Sequence, residues 1–100
     1  MRIEAQEAQI IKKAVLDHFG VDSSVYLFGS RADDTKRGGD IDLLIESDID
    51  EVDAFRARID VMTDIQIKLG DQKIDIVVTR RGDGDERAVV QNARSTGVAL

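Results

Sequence analysis

Three short runs rich in β-branched and aromatic residues, VYLF at 25–28, IDLLI at 41–45 and KIDIVV at 73–78, alternate with longer segments whose apolar residues return every three or four positions. A side-chain period of two belongs to a pleated strand and one of 3.6 to a helix, so the two kinds of segment cannot be interchanged. Ile11, Val15 and Phe19, with Ile10 and Ala14 beside them, make one helical stripe between Glu4 and Phe19, and Gly20 stops it. Phe55, Ile59, Met62, Ile65 and Leu69 make a second from Val52 onward, closed by Gly70 and Asp71. RRGDGD at 80–85 is a polar turn, and Glu86 to Ala99 forms a last, shorter helix. The predicted order is helix, strand, strand, helix, strand, helix. This is a small α/β (α+β) fold, a mixed sheet of three to four strands with helices mostly on one face, which leaves the other face for a site.

One hundred residues with 42% hydrophobic content support one core and not two, so residues 1–100 are expected to form a single domain. The apolar runs are far too short to span a bilayer, and MRIEAQEAQ carries acids where an export signal needs a basic and then apolar start. A cytoplasmic setting is the expectation. Absence of cysteine removes disulfides, thiolate metal sites and cysteine nucleophiles. A net charge of −6 repels a nucleic-acid backbone, and 4% aromatic content gives no stacking platform, so no direct nucleic-acid binding is expected.

The chemistry gathers in GSRADDTKRGGDIDL, residues 29–43. Strand alternation sends Asp40 and Asp42 to one side of the sheet and Ile41 and Leu43 to the other. Asp75 interrupts KIDIVV in the same way, and if the two strands are neighbours three carboxylates meet. Such a group repels itself unless a cation holds it ionised. Carboxylate oxygens without histidine or thiolate suit Mg²⁺ or Mn²⁺, which commonly draw further ligands from substrate phosphates, so a nucleoside triphosphate is the expected partner. Ahead of the acids, Gly29 lets backbone approach a phosphate, Ser30 and its neighbouring N–H groups donate to it, and Arg31 adds a cation. Lys36 and Arg37 either neutralise leaving pyrophosphate or are solvated, and Gly38 with Gly39 turns the chain into the strand.

Each fragment alone has an ordinary explanation. Asp-Ile-Asp recurs in DIDEVD at 48–53, where Asp48 or Asp50 reads as the N-cap of the second helix. His18 reads as a C-terminal capping or surface histidine without a catalytic role. The Phe55, Ile59 and Met62 stripe reads as core, part of which could face a partner chain, with Arg56 and Arg58 on a solvated face. RRGDGDER at 80–87 reads as an exposed charged turn or, less simply, a contact to a ligand. Function is carried by the ordered combination of strand, Gly-Ser-Arg, polar loop, Asp-Ile-Asp and a lone acid in a third strand.

With LFGSR at 27–31, GGDIDLLI at 38–45 and KIDIVV at 73–78, the chain resembles a minimal nucleotidyltransferase domain of the DNA polymerase beta-like superfamily over essentially its full length. Nine residues separate Ser30 from Asp40, toward the short side for that family. The resemblance implies a nucleotidyltransferase fold in which Asp40 and Asp42 hold two Mg²⁺ ions on the triphosphate. It implies also that Asp75 binds the catalytic ion and helps deprotonate the attacking hydroxyl, and that Gly29 and Ser30 hold the distal phosphates. Larger relatives carry an acceptor-selecting domain for which this chain has no room. Free-standing relatives resemble the antitoxin half of two-gene modules, whose partner is a helical HEPN-domain ribonuclease. The implied activity is transfer of AMP from ATP to a tyrosine hydroxyl of that HEPN toxin. Two alternatives stand beside it: a binding module that neutralises its partner by complex formation, and transfer to a small molecule such as an aminoglycoside.

Overall fold

The computed structural model describes residues 3–33, 39–82 and 84–100. The sequence-based readings of Lys36, Arg37 and Gly38 fall outside the described residues. Three helices and a four-stranded mixed sheet make up the fold: α1 (Ala5–Phe19), β1 (Ser24–Phe28), β2 (Ile41–Ser47), α2 (Glu51–Leu69), β3 (Ile74–Arg80), α3 (Ala88–Thr96) and β4 (Val98–Ala99), with a 3₁₀ turn at Gly29–Ala32. The sheet order is β3-β2-β1-β4. β1 runs antiparallel to β2 and β4, and β2 runs parallel to β3.

Alternation along the strands builds two apolar layers. Val25, Leu27, Ile41, Leu43, Ile45, Ile74 and Ile76 pack with Ile11, Val15 and Phe19 of α1 and Ala57, Val61 and Ile65 of α2. On the opposite face Phe28 and Leu44 meet Val90 and Ala93 of α3, with Tyr26 and Val77 at the margin. Two helices thus share one face, while the short α3 covers part of the other. Glu46 on β2 and Arg94 on α3, 3.6 Å apart, hold it there.

Asp50 caps α2, its carboxylate accepting from the Asp53 N–H at 3.0 Å, as its position before a helix predicts. Three expectations are corrected. The buried stripe of α2 is Ala57, Val61 and Ile65, whereas Phe55 and Ile59 are 62% and 47% exposed. The helix is rolled so that the small Ala57 faces the core and Phe55 lies beneath the Arg58 guanidinium, 5.9 Å from it. His18 does not close α1, since the Gly20 N–H donates to the Leu16 carbonyl. Its Nε2 instead meets Asp64 at 2.7 Å, tying α1 to α2. The last helix stops at Thr96, and Val98–Ala99 becomes an edge strand on β1. Gly97 permits that turn, because a Cβ there would lie 2.4 Å from the Ala93 carbonyl oxygen.

Candidate active site

β1 delivers the chain to Gly29, whose φ of +71° lies in the region that glycine adopts without strain. Gly29 has a second reason to be glycine. A Cβ there would stand 2.1 Å from Asp42 Oδ2, so the carboxylate occupies the space that any other side chain would fill. Ser30 and Arg31 follow in the 3₁₀ turn, which packs against β2. After the undescribed segment, Gly39 at φ +93° leads to Asp40 and into β2.

The register then decides which acids meet. Asp42 lies opposite Phe28 on one side and beside Asp75 on the other. Partial burial raises the Asp42 carboxyl above the usual aspartate range, and the charges of Asp75 and Asp40 and a hydrogen bond to Asp75 raise it further. The Lys73 ammonium works against that rise. Asp75 itself is exposed. Asp40 is drawn aside to Lys73, 3.6 Å from its Nζ. Among the described residues the structure therefore brings Asp42 and Asp75 together, with Asp40 near enough to act through its charge. It gathers no group of three acidic or histidine side chains into a formed ion site.

Arg31 makes hydrogen bonds within the protein. Its guanidinium donates to the Gly39 carbonyl at 3.3 Å and to Gln72 Oε1 at 3.4 Å. Gln72 is in turn fixed by the end of α2, donating to the Leu69 carbonyl and accepting at its own carbonyl from Gln66. Arg31 thus links Gly39, just ahead of Asp40, to the α2–β3 connection. Lys73 and Gln72 escaped the sequence reading, although alternation from Asp75 puts position 73 on the acidic face.

A cleft of about 510 Å³ lies away from these acids. It follows the free edge of β3 between α2 and the start of α3, lined by Phe55, Arg58, Val78, Arg87 and Val89 among others. Its depth comes from apolar and guanidinium walls. The acidic end, by contrast, is oxygen-rich, and two adjoining carboxylates there require a shared proton or a cation to coexist. An all-oxygen donor set of this kind fits a hard divalent ion, held by Asp42 and Asp75 with Asp40 beside them.

A family model described as a nucleotidyltransferase domain matches residues 8–94, from α1 through most of α3. The chain belongs to that family. No individual curated protein matches it. In this nucleotidyltransferase the strand end, the glycine turn and the paired acids adjoin one another. No described helix of the nucleotidyltransferase is long and apolar enough to cross a membrane.

Proposed function

We propose that this nucleotidyltransferase moves AMP from ATP to a tyrosine hydroxyl of a partner HEPN-type toxin and silences it, acting as an antitoxin. The observation that carries the reading is Asp42, whose carboxylate fills the void at Gly29 and adjoins Asp75. That contact is unfavourable in the free protein and becomes useful once a divalent cation is present. A pair of Mg²⁺ ions, when bound, would supply charge neutralisation at the α-phosphate. Asp40 and Asp42 would hold both ions, and Asp75 the catalytic one. Being exposed on the edge strand, Asp75 is also the acid most accessible to an incoming hydroxyl and would accept its proton. Gly29 and the Ser30 hydroxyl would donate to the distal phosphates. Arg31, bonded to Gly39 and Gln72, would add a cation beside them.

The exposure of Asp75 supports a macromolecular acceptor. A small acceptor needs walls to orient it, whereas a protein surface brings its own. Label from α-³²P-ATP should appear on one small protein when the chain is added to host lysate with Mg²⁺, and should vanish with the Asp40→Ala, Asp42→Ala variant. Label on a small molecule, or none while the partner is still neutralised, would defeat the proposal.

A further inference from the structure

Lys73 occupies a position that fold stability does not explain. The Ile41 N–H donates to its carbonyl at 3.0 Å, which locks its backbone beside Asp40 one step before the Ile41–Ile74 and Asp42–Asp75 pairs. Alternation from Asp75 places its side chain on the acidic face, and its Nζ lies 3.6 Å from Asp40 Oδ2. Yet the side chain is 76% exposed, and an ion pair so open to water contributes little to folding. Arg31, the other described cation at this end, donates to Gly39 and Gln72 instead. Lys73 is a point charge on a flexible four-carbon stem, suited to changing partners between oxygen anions.

We propose that Lys73 is a phosphate-positioning residue with two places. It rests on Asp40 when no divalent ion is bound. It moves to a phosphate oxygen of the nucleoside triphosphate when Asp40 is given over to a divalent ion. The device offsets part of the repulsion among the acids before substrate arrives and makes metal and nucleotide bind better together than either alone. The inference rests on Asp40, Asp42 and Asp75 being the metal-holding set.

The intact chain can be tested with Mn²⁺ alone, followed by the paramagnetic resonance of the free ion, and then with α,β-methylene-ATP plus Mn²⁺ by calorimetry. Lys73→Met and Lys73→Gln are each expected to bind Mn²⁺ alone about threefold tighter, because a neighbouring like charge is gone. Both should bind the triphosphate analogue about tenfold more weakly, through loss of one charge-assisted hydrogen bond. Lys73→Arg should restore most of the nucleotide affinity. Opposite signs for the two ligands are the signature that a merely structural lysine would not give. Movement of both affinities in one direction, of only one, or of neither overturns the proposal. Failure of the wild-type chain to bind Mn²⁺ overturns both it and the metal-holding set. Binding that is lost in Asp42→Asn but unmoved in Lys73→Met overturns Lys73 alone.

Discussion

Asp75 and Thr79 stand four residues apart on one face of β3, and the carboxylates that meet them, Asp42 and Asp85, are held in opposite ways. Asp85 accepts from the Thr79 hydroxyl at 2.8 Å, from the Arg87 N–H at 3.1 Å and from the Arg87 guanidinium at 2.9 Å. These donors hold its carboxyl well below the usual aspartate range, the Arg87 side chain contributing most. The same guanidinium reaches the Val78 carbonyl at 2.8 Å on the free edge of the sheet. Asp42 is pushed the other way, by burial first and then by two like charges. One end of the strand satisfies its acid with protein donors; the other leaves its acid in need of a cation. That difference separates a structural latch from a site built for a charged substrate.

Asp42→Asn breaks the comparison most sharply, because it should move activity and stability in opposite directions. Nucleotidyl transfer is expected to fall on the order of a thousandfold or more, as for loss of a group that stabilises transition-state charge. Stability of the metal-free protein at neutral pH should rise. The native Asp42 takes up its proton at higher pH than the unfolded chain does, so stability declines as pH climbs from the ordinary aspartate value through the raised native one. Asparagine removes that decline and can still donate to Asp75. Thermal melts of both proteins across acidic to neutral pH check this. A variant that melts lower at pH 7 would make Asp42 a structural acid like Asp85.

Gly29→Ala should cost less activity but more fold. A residue other than glycine at φ +71° loses about 1–2 kcal/mol, and the new Cβ would also displace the Asp42 carboxylate. Transfer is expected to drop about a hundredfold if the carboxylate moves by even an ångström. A double-mutant cycle with Asp42→Ala isolates the shared space: the conformational cost persists, while the steric part disappears. Strict additivity of the two stability changes would show that the residues do not compete for one volume.

Much of this was legible in the sequence wherever local pattern decides the outcome. The Ile11, Val15 and Phe19 stripe, the run into Gly29 and the alternation that sets Asp40 and Asp42 against Ile41 and Leu43 need no tertiary information. Adjacency of Asp42 and Asp75 required only that β2 and β3 be neighbours. Features set by distant partners were not readable. Val98–Ala99 is a strand only because β1 offers a free edge, and two residues carry no period of their own. Phe55 and Ile59 fit the helical period as well as Ala57, Val61 and Ile65 do, and packing against α1 chose between them. Arg31, Gln72 and Lys73 are polar residues whose partners lie across the chain or across a loop. Asp85 and Arg87 sat in what reads as an exposed turn, yet the Asp85 side chain is only 16% exposed.

The smallest expected effect tests that last reading. Asp85→Asn keeps the shape of the side chain but gives up the charge that binds Arg87. A carboxyl whose native pKa is depressed stabilises the fold above the unfolded value and loses that contribution as pH falls toward the native one. The variant should therefore melt below the wild type at pH 7, and the two should converge as pH drops through and below the ordinary aspartate range. That is the reverse of the slope expected at Asp42. Transfer activity at 25 °C should hold near wild type, since Thr79, Asp85 and Arg87 fasten the end of β3 away from Asp75. Identical melting at pH 7 would mean that the donors around Asp85 serve asparagine equally well, making the latch a matter of shape. A large fall in activity with no change in melting would mean that this end of β3 positions Asp75 after all, and the two ends of the strand would have to be treated as one site.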